Sequence, residues 1–167
     1  MSSSADFIKA IRSGKLKDVI AALDNGVPVE LDDGQGNPGL PMAIACFMGH
    51  TDIIRELALR GARINFKNNL DPASPLSMAI RGKKPEAVRI LIELGVNLPM
   101  GVNTGLSDQD VHFAKQKAQL LGIVQTEHGS VKIPEFEEIR MTGLVGTDTG
   151  ILDAELRRAI AKMESKK

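Results

Sequence analysis

The sequence predicts an all-α chain: a short solenoid of stacked helix–turn–helix repeats followed by a C-terminal helical extension. Three observations lead there. Glycines recur on a fixed ruler, with 35 residues from Gly26 to Gly61, 34 from Gly61 to Gly95, and 12 from both Gly14 to Gly26 and Gly49 to Gly61. Between these glycines apolar residues return at helical spacing rather than in alternation. Aromatic residues make up only 3% of the chain, with no Trp or Tyr, so the core must be built from Ala, Leu, Ile, Val and Met. Such a core suits closely packed helices.

Each unit reads as helix, tight turn, helix. In the middle unit Pro41 sits where the first turn of a helix tolerates a missing N–H, and Met42, Ile44 and Ala45 follow before Gly49 breaks the helix. A second helix from Thr51 or Asp52 places Ile53, Ile54, Leu57 and Ala58 on one face, and Gly61 closes it as a left-handed cap. Pro75 and Pro85 open the two helices of the third unit, Ala87, Val88, Leu91 and Ile92 make the apolar face, and Gly95 ends it. Helices this short cannot bury an apolar face alone, so each unit needs a neighbour stacked against it.

The segments Leu40-Pro41-Met42-Ala43-Ile44-Ala45-Cys46-Phe47-Met48-Gly49-His50 and Ser74-Pro75-Leu76-Ser77-Met78-Ala79 resemble the ankyrin-repeat signature T-P-L-H-x-A-A-x-x-G-H, and Gly61-Ala62-Arg63-Ile64-Asn65 resembles its closing G-A-D-V-N. The resemblance implies an ankyrin-type solenoid with finger-like turns over residues 1–98, in units of about 6–33, 34–67 and 68–98. Ala43 and Ser77 stand in place of the signature histidine and Leu40 in place of its threonine, which predicts weaker hydrogen bonding in those turns. Extra residues beyond a period of about 33 are expected in the fingers at Asp32 to Gly39 and Asn68 to Ala73, both rich in Gly, Asn, Asp and Pro.

Residues 99–122 read as a connector and a capping helix. Ser107 with Asp110 resembles a capping box, followed by Val111, Phe113, Ala114, Ala118 and Leu121 before Gly122, and this helix is expected to cover the open end of the stack. Residues 123–167 read as an irregular stretch, with Val131-Lys132-Ile133 as a short strand, and a final amphipathic helix from about Leu152 to Glu164 that either docks on the repeats or binds a partner.

Charge and chemistry narrow the function. Net charge is zero and balanced along the chain, with 12 Lys/Arg against 11 Asp/Glu in residues 1–100 and 9 against 10 in the rest, so no basic stripe recommends nucleic acid or an anionic membrane. No stretch approaches the roughly 20 apolar residues of a membrane span, and no secretory signal is evident. The lone Cys46 admits no internal disulfide and fits a reducing, cytoplasmic compartment. His50, His112 and His128 are scattered, Gly34, Gly36 and Gly39 lack the strand and lysine of a phosphate loop, and no nucleophile–base order occurs. The expectation is a non-enzymatic chain with no cofactor and no metal.

What remains is a surface. The resemblance implies partner contacts through the concave face, at the variable residues before each tight turn: Arg12 and Ser13, Phe47 and Met48, Arg81 and Gly82. Phe47 and Met48 are large apolar side chains at positions expected to be exposed, and Arg12 and Arg81 flank them as candidate contacts for acidic groups. Finger residues Asp32, Asp33, Gln35, Asn37, Asn68, Asn69 and Leu70 would form the rim. The reading is a monomeric scaffold or adaptor that binds another protein, and the alternative is an inhibitor or immunity-type protein that occludes a partner enzyme.

Overall fold

Residues 3–32, 34, 39–125 and 129–132 are described by a computed structural model. They form the helices α1 (Ser4–Arg12), α2 (Leu16–Asp24), α3 (Leu40–Met48), α4 (Thr51–Leu59), α5 (Pro75–Arg81), α6 (Pro85–Glu93) and α7 (Asp108–Leu120), then the two-residue strands β1 (Val124–Gln125) and β2 (Val131–Lys132). Local chemistry explains most helix ends. Ser3 and Asp6 form a reciprocal capping box on α1, which lowers the Asp6 pKa through the Ser3 hydroxyl and N–H. Proline stands in the first turn of α3, α5 and α6, where a missing N–H costs nothing.

Each outer helix, α2, α4 and α6, ends in the same way. Gly26, Gly61 and Gly95 take φ of 87°, 89° and 86°, and the next residue's N–H reaches back to a carbonyl of the last turn, from Val27 to Ala22, Ala62 to Leu57 and Val96 to Leu91. This shared hydrogen-bonded cap is the physical content of the glycine ruler. The inner helices, α1, α3 and α5, turn at Gly14 (φ 69°), Gly49 (φ 81°) and Lys83 (φ 52°). Lys83 holds the left-handed position without glycine's freedom, a conformation that costs about 1 kcal/mol or more.

Packing makes two parallel rows. The inner row stacks α1 on α3 on α5, and the outer row stacks α2 on α4 on α6, with each pair also joined across its turn. One apolar cluster runs through both rows: Phe7 and Ile11 of α1, Met42, Ala45 and Cys46 of α3, and Leu76 and Ala79 of α5 meet Val19, Ile53, Ile54, Leu57, Val88 and Leu91 from the outer helices. Close approach is built in by sequence at Gly82, where an added Cβ would press on the Phe47 carbonyl. Outer helices are also tied by charge, as Arg60, at the C-terminal cap of α4, reaches Asp24 of α2 at 2.7 Å and Glu56 of α4 at 2.9 Å.

The second finger is firmer than its missing signature residues suggest. Buried Ser74 caps α5 by accepting from the Ser77 N–H, and its hydroxyl donates to the Asn69 carbonyl at 2.6 Å. Asn69 donates to Asn65 and to the Asn97 carbonyl, while Asn65 donates to Gly95 and accepts from the Asn97 N–H. Buried amides satisfied on both ends bind this finger to the turn that follows α6. The first finger is joined to the second by Glu30, whose carboxylate accepts the Arg63 N–H at 2.6 Å. Where Leu40 replaces the signature threonine, α3 has no side-chain cap, in line with the sequence expectation.

After the repeats α7 packs on α6, so it extends the outer row. Only Ala114 of α7 is buried, and Phe113 is 66% exposed. Compensation comes from Glu93, a nearly buried carboxylate that Lys117 of α7 reaches at 2.9 Å and Arg55 of α4 at 3.1 Å. β1 and β2 pair antiparallel, and the segment leading into β2 runs back along the foot of the second finger. There the Gly129 carbonyl accepts the N–H groups of Ile64 and Asn65, and the Ser130 hydroxyl donates to Gly61. The final helix expected at residues 152–164, like Ile133, lies outside the described residues.

Two outcomes are expected in urea unfolding. Gly82→Ala lowers stability by about 1–3 kcal/mol, since backbone must retreat from the new methyl, whereas Lys83→Gly, one residue on, raises it by about 0.5–1 kcal/mol by relieving the left-handed turn. Glu93→Ala costs about 2 kcal/mol by leaving Arg55 and Lys117 without their carboxylate, while Lys117→Ala costs less than about 1 kcal/mol because Arg55 remains and Lys117 is half exposed.

Candidate protein-binding surface

Three consecutive inner helices present equivalent positions on one face. Because α1, α3 and α5 repeat in register, Arg12, Phe47 and Arg81 occupy the same place near the C-terminal end of each, and so do Ser13, Met48 and Gly82 one residue later. The reason these side chains face outward is the helical period: Ala10, Ala45 and Ala79 take the buried stripe, and residues two or three positions beyond it rotate off the core. α3 is otherwise buried from Pro41 to Cys46, yet Phe47 is 42% and Met48 39% exposed. Arg12, Ser13 and Arg81 are exposed as well, while Gly82 is half-buried against α3.

The finger side is more mixed. Leu70 is half exposed at the tip of the second finger, and exposed Asn68 shapes that tip by accepting the Leu70 N–H and donating to Asp71. Asn69 points inward, buried at 5% exposure within the amide network, so its side chain is spent on holding the finger. Asp32 is exposed and accepts the Gly34 N–H. Asp33, Gln35 and Asn37 lie outside the described residues.

The structure adds residues that sequence reasoning did not select. A groove of about 650 Å³ runs along α1 to the first finger, floored by Ile8, Leu31 and Leu40 and edged by Lys9, Arg12 and Glu30. Their partial burial is the reason they escape a sequence reading, because a lone Ile or Leu does not reveal whether it faces the core or a surface groove. The one available signal is register: Ile8 occupies the place in α1 that Ala43 and Ser77 hold in α3 and α5.

Reactive groups are spoken for. Burial pushes the Cys46 thiol well above its ordinary range, which leaves it protonated and a poor nucleophile. The His50 ring lies against Gly14, with Nε2 3.3 Å from the Arg12 carbonyl, a donor in the tautomer that carries hydrogen there. His112 sits beside Phe113 on α7, and His128 lies outside the described residues. Among the described residues no three His, Cys, Asp or Glu side chains converge as metal ligands, and no helix is long and apolar enough to cross a membrane.

A family model of ankyrin repeats, in three copies, matches residues 7–107. No curated protein matches the chain. Ankyrin repeats are generally protein–protein interaction modules and typically non-enzymatic. With the match covering more than half of the sequence, and with paired helices stacked in two rows and capped by recurring glycines, the chain belongs to the ankyrin-repeat family.

Proposed function

We propose that this chain is a cytoplasmic scaffold or adaptor that recognises one partner protein through the face formed by the inner helices and the finger turns. The observation that carries the reading is the exposure of Phe47 and Met48 at the end of an otherwise buried helix. A folded chain gains nothing from large apolar side chains left in water, and such residues flanked by arginines are the usual anchors of a protein interface. Register supports the same face, since the exposed positions of all three inner helices line up across the stack. The buried thiol of Cys46 suits a reducing compartment. Arg12, Ser13, Phe47, Met48 and Arg81 form the contact row, with Asn68 and Leu70 on the rim. Asn69 serves the finger itself, and Gln35 and Asn37 complete the rim on the strength of sequence. The chain acts as a monomer in this reading.

Affinity capture from the native cell, followed by mass spectrometry, identifies the partner. Phe47→Ala combined with Arg81→Glu is expected to weaken capture by about tenfold or more while helical circular dichroism stays unchanged. Undiminished capture by the folded double variant would remove this face from the interaction.

A further inference from the structure

We propose that the inner face selects an acidic peptide segment with a large apolar side chain at its centre. The inference rests on the partner-binding reading above and names the chemistry of what is bound. Its basis is a separation of charge that the neutral overall balance conceals. Every acid of the outer helices except the exposed Asp52 is matched with a base among the described residues: Asp18 with Lys15, Asp24 and Glu56 with Arg60, Glu86 with Arg89, and Glu93 with Arg55 and Lys117. On the inner helices the cations Lys9, Arg12 and Arg81, together with Lys83 and Lys84 in the third turn, form no ion pair with a described residue. Of the acids near them, Asp6 caps α1 and Asp32 accepts the Gly34 N–H, while Glu30 gives one carboxylate oxygen to the Arg63 N–H and keeps the other buried without a hydrogen-bond partner.

Register converts this free charge into a pattern. Arg12, Phe47 and Arg81 sit at equivalent positions of neighbouring helices, which stack roughly 10 Å apart, so the two guanidinium groups bracket the apolar pair across about 20 Å. An extended peptide spans that distance in about six residues. Its apolar side chain therefore meets Phe47 and Met48 while carboxylates about three residues to either side reach Arg12 and Arg81. Arginine suits the task because its planar fork takes a carboxylate in two parallel hydrogen bonds. Nucleic acid is disfavoured, because the centre of the ladder is apolar and the chain has no Trp or Tyr to stack bases.

The test uses the full chain as bait for a phage-displayed library of random linear peptides, with synthetic copies of enriched sequences measured by fluorescence anisotropy. Enriched peptides are expected to carry acidic residues on both sides of a Phe, Leu, Ile or Met. Their affinity should fall by about tenfold or more in Arg12→Glu/Arg81→Glu and in Phe47→Ala/Met48→Ala, and remain unchanged in Lys17→Glu on the outer row. Arg12→Gln/Arg81→Gln replaces the charge reversal if that variant misfolds. Peptides that depend on Phe47 and Met48 but show no acidic enrichment overturn the charge inference and leave the binding face standing. Peptides indifferent to both double variants overturn the inference and the face together. An empty selection, or tighter arginine-dependent binding of an oligothymidylate than of any peptide, also overturns it.

Discussion

A continuous apolar seam between stacked helix pairs is the constraint from which the rest of this structure follows. Nine-residue helices are marginal in isolation, and their apolar stripes are satisfied only when Phe7, Ile11, Met42, Leu57, Leu76 and Leu91 meet across unit boundaries. Each helix pair therefore holds the next in register. Gly82 tightens one such boundary by letting the turn after α5 sit directly on the carbonyl that ends α3. Equivalent residues then fall into rows, and a surface pattern becomes possible that no single repeat could display.

Polar groups are distributed around that seam according to what each location demands. At the second finger, buried amides must be paired, and Asn65, Asn69 and Asn97 pair with one another and with backbone between two repeats. Outer helices use ion pairs, which also fasten α7, a helix with too little apolar surface to dock by burial alone. On the inner helices Lys9, Arg12 and Arg81 form no ion pair with a described residue.

Much of this was legible in the residues, for identifiable reasons. Pro75 and Pro85 mark helix starts because proline is tolerated there, and Gly26, Gly61 and Gly95 mark helix ends because a left-handed cap favours glycine. Phe47 stands out because it follows the buried stripe of α3 by one residue. Other features were hidden. Asn69 reads as a rim residue because asparagine in a turn is ordinarily solvated, and its burial depends on Asn97, 28 residues away. The sequence does not show which residues of α7 meet the stack, and α7 rests on Ala114 and Lys117 while Phe113 stays exposed. Ile8 and Leu31 share a groove only because α1 and the first finger fold side by side.

The sequence by itself determined the helix pairs, their period and their apolar stripes, since these depend on backbone preference and side-chain spacing within a dozen residues. Only the tertiary structure decided which polar side chains are consumed internally and which stay free, that α7 extends the outer row, and that the chain returns through Gly129 to the foot of the second finger. Those outcomes depend on distances between residues far apart in the chain, and stacking alone sets them.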